Sequence, residues 1–359
     1  MSGRRKIAVI STGNGGQALA AYFSLKGHEV ALYARDQERV DMFADNRFTL
    51  SGAVEGTTSV ALISRDMEEV VRGAYLIMVT TPAQYHHVVG AAMAPHLADG
   101  QSVILNPGRT FGTYAFEKTL RENGCAADIA LGETDTFVFT CRSAVIGRPV
   151  IYKMKNTVLV AAHRGYGGTT RQIARTLSEY FDSIVPAGSV LHTGFSNIGM
   201  IFHPIPILMN ITRVEAKEDF LFYIDGISPL VAGILEKMDA ERVAVARAFG
   251  ADVEGAGGWL RACYGSRGNT LYELIQGTDA YKNVLAPTDI DTRYVFEDIR
   301  TGCVPVSCAG KYAGINTETL DAVIRWASLL YDVDFRSDGR NDAILDFGRI
   351  LHLEGRDTA

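Results

Sequence analysis

The chain has 359 residues, 47% of them hydrophobic and 21% charged, with a formal net charge of −6. That length favours two domains over a single core. A negative balance without clustered Lys and Arg argues against a nucleic-acid or anionic-membrane surface.

Five scattered cysteines (Cys125, Cys141, Cys263, Cys303, Cys308) form neither CxxC pairs nor an even set. Reduced thiols, a cytoplasmic location and no metal centre are therefore expected. The first residues carry charge but no apolar leader, and no apolar stretch reaches the length of a membrane span.

Residues 6–11 are a short apolar run, followed by glycines at 13, 15 and 16. Helical periodicity then passes through Leu19, Ala20, Phe23 and Leu25, over residues 17–26, with Gly27 as its stop. Residues 29–33 read as a second strand, and Asp36 is placed to cap a helix ending about Ala44. Further apolar runs at 60–63, 75–80, 102–105 and 129–133 alternate with helical segments at 86–93 and 113–123. Such runs predict strands buried on both faces of a parallel sheet.

Residues 148–152 and 157–162, around the polar turn 153–156, predict a hairpin at the sheet edge, and 169–181 one more helix. From 191 onward the long segments are helical, at 230–249, 270–276 and 317–330. The expected fold is a Rossmann-type doubly wound α/β domain over residues 1–187, then an all-α domain over 188–359. The ligand cleft is expected between the two.

The turn Ser11-Thr12-Gly13-Asn14-Gly15-Gly16 lies after a strand and before a helix. A dinucleotide site needs such a turn, because backbone N–H groups and a helix N-terminus must approach the pyrophosphate closely. Ser11 stands where the usual GxGxxG pattern has its first glycine. NAD enzymes carry an acid at the end of the second strand, for the ribose hydroxyls. Here that position is Ala34, followed by Arg35, with Arg39 four residues on. Two arginines and no acid predict NADP(H) over NAD(H), with a shifted register through Asp36 as the alternative. Thr81-Pro82 and Asn106-Pro107-Gly108, at the ends of later strands, are expected to face the same cofactor.

Hydride transfer to a carbonyl or imine needs a proton donor and a cation for the substrate carboxylate. Among eight histidines, His203 stands out: it follows an apolar helical stretch and precedes Pro204-Ile205-Pro206. The prolines break helical hydrogen bonding and present it at a kink. His192 lies near the same face, but no third metal ligand accompanies the two.

Two stretches resemble the helical domain of the opine dehydrogenases, the family of the octopine and nopaline enzymes. They are His192-Thr193-Gly194-Phe195-Ser196-Asn197, running on to His203-Pro204, and Asp291-Thr292-Arg293-Tyr294-Val295-Phe296-Glu297-Asp298. The glycine turn, Asn106-Pro107-Gly108, Gly132-Glu133-Thr134, Phe139-Thr140-Cys141-Arg142 and Asp334-Phe335-Arg336 extend the likeness over nearly the whole chain. It is nearest the family's bacterial N-(1-D-carboxylethyl)-L-norvaline branch.

The resemblance implies a helical domain arranged as in the 6-phosphogluconate dehydrogenases, a homodimer, and small-molecule substrates. It also implies reversible reductive condensation of a 2-keto acid such as pyruvate with an amino acid. It makes His203 and Asp298 the acid–base pair, with Asp298 raising the imidazole pKa. It makes Arg293 the carboxylate-binding residue, with Asn197 and Cys141 also at the substrate.

Arg293 and Asp298 are five apart, about 140° around a continuous helix. Either a helix starts between them, or the arginine reaches around. Side-chain selectivity is expected from Phe220, Tyr223, Tyr264 or Tyr272. Two other readings stand beside this one: a 2-keto acid, 2-hydroxy acid or ketopantoate-type reductase, which would want a lysine at the carbonyl, and a catalytically silent NADP-binding protein.

Overall fold

The computed structural model describes residues 4–43 and 45–356, so Ala44 lies outside them. Two units divide the chain. The first runs up to Gly108 and resumes over Gly112–Thr193; the second takes Arg109–Phe111 and everything from Gly194 onward.

In the first unit, the short apolar runs become strands because alternate side chains can be buried on opposite faces. The strands are Lys6–Ile10 (β1), Glu29–Tyr33 (β2), Arg47–Gly52 (β3), Gly56–Ser59 (β4), Leu62–Ser64 (β5) and Leu76–Val79 (β6). They continue with Ser102–Leu105 (β7), Ala130–Thr134 (β8), Phe139–Val145 (β9), Arg148–Met154 (β10), Val158–Ala162 (β11) and Ile184–Pro186 (β12). The helices are Asn14–Leu25 (α1), Gln37–Asp41 (α2), Met67–Val71 (α3), His86–Met93 (α4), Gly112–Glu122 (α5) and Thr170–Ser178 (α6).

The main sheet has the order β12-β11-β8-β7-β6-β1-β2-β5. It is parallel except where β11 runs antiparallel to β8. Ile7 and Val9 pack with α1 and α6, whereas Ala8 and Ile10 pack with α3, α4 and α5. A Rossmann sheet needs that two-sided burial.

One sequence expectation is overturned. The stretches 148–152 and 157–162 are strands, but they do not form a hairpin. β10 pairs with β9 and β3 in a second sheet of order β4-β3-β10-β9, and β11 joins the main sheet. Burial explains the split: β11 is buried along nearly all its length, whereas β10 buries only Pro149 and Ile151. A strand buried on both faces belongs inside a covered sheet; a half-exposed one does not.

The chain passes into the second unit within Val190–Phe195 (α7). There follow Gly199–Phe202 (α8), Pro204–Met209 (α9), Ile211–Glu215 (α10), Pro229–Ala248 (α11), Ala256–Tyr264 (α12), Leu271–Gln276 (α13) and Arg293–Asp298 (α14). A π-helical segment, Ile299–Cys303, leads directly into Val304–Ala313 (α15). Glu318–Tyr331 (α16), Phe335–Asp338 (α17) and Phe347–Leu353 (α18) complete the unit.

α11 is set by Ser228, whose hydroxyl accepts the Val231 N–H, and by Pro229 in the first turn. Its fully buried Arg242 bonds to Asp239 and to the carbonyls of Phe195 and Glu254. A guanidinium this deep is tolerated because its donors are paired. Among the described residues no helix is long and apolar enough to cross a membrane.

Candidate active site

The first unit carries the glycine turn between β1 and α1. Ser11 turns the chain at φ 120°, a backbone region that suits glycine, and its Oγ accepts the Gly13 N–H at 3.1 Å. The serine hydroxyl thus holds a turn that glycine would make without strain. α1 starts at Asn14, earlier than periodicity alone predicts, with Gly13 as its N-cap. Gly15 and Gly16 form its first turn, and a Cβ on Gly16 would fall on the carbonyl oxygen of Ser11. The turn therefore carries no side chain at Gly13, Gly15 and Gly16, and a dinucleotide fits it.

At the end of β2, Ala34 is fully buried and offers no carboxylate. The Arg35 side chain is 92% exposed and pairs with Asp36. Asp36 is engaged on both oxygens, capping α2 through the Arg39 N–H and accepting from Arg35. Arg39 turns inward, donating to the hydroxyl and carbonyl of Thr12, so it braces the phosphate loop.

Thr81 ties the end of β6 to the Ile10 carbonyl, and Pro82 begins the next turn. At the end of β7, Asn106 is 1% exposed, and its Oδ1 accepts from Thr134. Its Nδ2 is buried without a hydrogen-bond partner, an orphaned donor at a strand end where a nicotinamide cofactor is expected. Gly108 donates to the Thr134 carbonyl and packs against Glu133. Cys141 lies on β9 against the core of this unit, and burial pushes its thiol up to about 11.

The second unit gathers the charged residues. His203 sits between α8 and α9, as the proline pattern predicts. Its Nδ1 lies 2.7 Å from Asp298 Oδ2, and its ring stacks on Tyr294 at 4.1 Å. Asp298 is fully buried at the end of α14, just before the π-helical segment. Insertions of this kind into helices recur at functional sites.

Gly199 allows the close approach: a Cβ there would come within 2.9 Å of both Arg109 Nη1 and Asp298 Oδ1. α14 starts at Arg293, so Arg293 and Asp298 share one helix and the arginine reaches around it. Its guanidinium lies over Tyr294, 5.4 Å from the ring centroid, with Nη1 3.4 Å from Glu297 Oε2.

Two residues not singled out from sequence complete the group. Arg109 donates to Asn197 Oδ1 at 3.0 Å and Glu297 Oε2 at 3.4 Å, and stands 3.7 Å from Asp298 Oδ1. Glu297 is thereby shared between Arg109 and Arg293. Arg109 ends the turn Asn106-Pro107-Gly108-Arg109, which the sequence placed at the cofactor, and no local pattern tied it to Asn197, 88 positions away. For Glu297, the four-residue spacing from Arg293 was the available signal. Asn197, expected at substrate, is buried with its amide engaged by Arg109 and Thr110.

The electrostatics correct one expectation. Burial pushes the His203 imidazole below its ordinary value; Asp298 opposes this, while Arg293 and Arg109 add to it. Burial alone would raise the Asp298 carboxyl, but Arg109, then His203 and Arg293, hold it below the ordinary carboxylate range. Asp298 thus acts on the imidazole in the expected direction, but burial outweighs it and the net shift is downward.

Of the residues considered for selectivity, Phe220 is buried beneath Arg213 and Tyr223 is stacked on Tyr281. Tyr264 is partly exposed, beside Trp259 and Tyr281. Among the described residues no three His, Cys, Asp or Glu side chains gather as a metal would require.

A dinucleotide-type α/β unit and a helical unit with a histidine–aspartate pair flanked by arginines define an NAD(P)-dependent dehydrogenase. Residues 6–108 match the NAD-dependent glycerol-3-phosphate dehydrogenase N-terminus family, and residues 186–331 match the NAD/NADP octopine/nopaline dehydrogenase, alpha-helical domain family. An opine dehydrogenase of Arthrobacter sp. (strain 1C) is 38% identical, covering 93% of this chain and 92% of its own. Octopine dehydrogenase of Pecten maximus is 24% identical, with the same coverages of 93% and 92%. In fold, the chain superposes on octopine dehydrogenase with NADH and L-arginine at a TM-score of 0.83, 21% identity and 99% coverage of both chains. The NADP+-bound yersinopine dehydrogenase gives a TM-score of 0.74 at 14% identity, covering 98% of this chain and 97% of that one. The chain belongs to the opine dehydrogenase family and is an NAD(P)-dependent oxidoreductase acting on the CH–NH bond of secondary amines.

Proposed function

We propose that this enzyme uses NADPH to join a 2-keto acid such as pyruvate to the amino group of an L-amino acid, reversibly. The observation that carries the reading is the 2.7 Å contact of His203 Nδ1 with Asp298, with Arg293 beside it. Residues 1–187 would serve the cofactor and 188–359 the substrates. When bound, the cofactor supplies the hydride.

Asp298 fixes the Nδ1–H tautomer and leaves His203 Nε2 for the substrates. A neutral Nε2 takes a proton from the substrate ammonium, freeing the nitrogen lone pair to attack the keto carbon. The imidazolium then returns that proton to the oxygen that departs. Condensation and hydride addition release one water; its two protons come one from the ammonium and one from solvent. Arg293, half exposed, is suited to a substrate carboxylate.

NADPH is favoured over NADH by an exposed Arg35, a buried Ala34 and an Asp36 engaged in capping. A simple keto acid or ketopantoate-type reductase is disfavoured, because the cations that act most on His203 are Arg293 and Arg109, where such a reductase would want a lysine. A silent NADP-binding protein is disfavoured by the same convergence. The five scattered cysteines favour a cytoplasmic location. Exposed Trp326, Leu329 and Leu330 on α16, together with the family resemblance, favour a homodimer.

The test is NADPH oxidation followed by absorbance, with pyruvate alone and then with a panel of amino acids. Turnover requiring both substrates supports the reading; turnover with a keto acid alone transfers it to a carbonyl reductase.

A further inference from the structure

Arg109 is held in an unusual way. It has a left-handed backbone, φ 63°, as has Phe111 at φ 55°. A non-glycine residue is strained in that region and persists there only where its surroundings over-determine it. Here they do. Between the two, Thr110 donates its N–H to the Thr301 carbonyl and its hydroxyl to the Gly194 carbonyl, and its own carbonyl accepts from Arg340. Phe111 is 2% exposed among Phe195, Phe249 and Phe347. The segment Arg109–Phe111 is thus woven into the helical unit, and it presents a guanidinium whose side chain is 11% exposed.

The two oxygens of Asp298 face different groups, a neutral imidazole and a guanidinium. Oδ2 meets His203 at 2.7 Å; Oδ1 is buried without a hydrogen bond and stands 3.7 Å from Arg109 Nη1. A carboxylate shared in this way gives less of its charge to the imidazole than one devoted to it. We propose that Arg109 is a positioning residue that divides the charge of Asp298 and thereby keeps His203 neutral and ready to accept a proton. The role rests on the acid–base function assigned to His203 above.

The other groups around the pair are Arg293, Tyr294 and Glu297 from α14, Tyr223 before α11, and Cys303 in the π-helical segment. Of the cations, Arg109 acts more strongly on Asp298 than Arg293 does. Glu297 draws on both arginines and so limits how far each can act on Asp298.

The titration of His203 is followed by NMR of its ring Cε1–H in substrate-free protein, with His203→Gln assigning the signal. Arg109→Gln, which keeps a donor for Asn197 but removes the charge, moves the midpoint upward, and Arg109→Lys restores it towards the wild-type position. In kinetics, Arg109→Gln loses on the order of tenfold in kcat/KM at pH 6 and little at pH 9. Glu297→Gln, which releases Arg109 to act on Asp298, moves the midpoint downward, and it tests the idea even where Arg109→Gln does not fold. An unmoved His203 midpoint in Arg109→Gln or in Glu297→Gln overturns the proposal. So does a rise in KM for the keto acid with an unchanged pH profile, which would make Arg109 a substrate ligand. The NMR readout needs no turnover, so a shifted midpoint in an enzyme without condensing activity would reject the proposed reaction and leave the role of Arg109 standing.

Discussion

Arg293 opens α14 and Asp298 closes it, yet their charges act on each other. An offset of about 140° around an α-helix would keep two short side chains apart. The guanidinium of Arg293 instead lies over the Tyr294 ring, on which His203 also stacks, and its Nη1 comes within 3.4 Å of Glu297 Oε2 at the acidic end of the helix. The aromatic ring is the shared support of the cation and the base.

Arg293→Lys keeps the charge but loses the planar fork that suits a carboxylate. KM for the keto acid or amino acid is expected to rise about tenfold or more, with a smaller change in kcat. Steady-state kinetics with each substrate varied in turn measure this; unchanged KM values for both would remove Arg293 from the substrate site.

His203→Gln is expected to lower kcat by about 10²–10⁴ while leaving NADPH affinity within about twofold. Asp298→Asn, which retains size but loses control of the tautomer, is expected to fall in the same range. Cofactor fluorescence titration beside the kinetic assay separates the two effects, and a matching loss of NADPH binding would argue for a folding defect.

The pH dependence follows from the direction of the His203 shift. A histidine depressed in the folded state binds fewer protons there than in the unfolded chain. Its contribution to stability is therefore complete above the ordinary value of 6.5 and is lost as pH falls through the lower folded value. Likewise kcat/KM is expected to hold at pH 6.5 and decline only below it, while the His203→Gln melting temperature varies less with pH across that window. An acid limb centred above 6.5 would contradict the depressed imidazole.

Arg35→Ala removes an exposed guanidinium whose partner is the neighbouring Asp36. The ratio of kcat/KM for NADPH over NADH is expected to drop by about 10- to 100-fold, the worth of a charge-assisted contact to a 2′-phosphate. An unchanged ratio would leave cofactor choice to another part of the loop.

Much of this was readable locally. β1, β2, β6 and β7 follow from apolar runs, α4 and α11 from periodicity, and the kink at His203 from the prolines that follow it. The second sheet was not readable: β3 and β4 are half exposed, with glycines at the end of one and the start of the other, and β10, which β3 pairs with, comes far later in the chain. Such strands gain their stability from cross-strand contacts, which leave a weak mark on local sequence.

By itself the sequence determined the backbone-limited features: where a glycine turn leads into α1, where α8 must give way to α9, and which residue types stand ready as base, acid and cation. Those depend on neighbours within a few positions. Only the tertiary structure decided that Arg109 joins His203, Glu297 and Asp298, that Asn197 serves Arg109, and that the imidazole pKa falls rather than rises. Burial and charge at a few ångströms set these outcomes, and both are sums over residues distant in the chain.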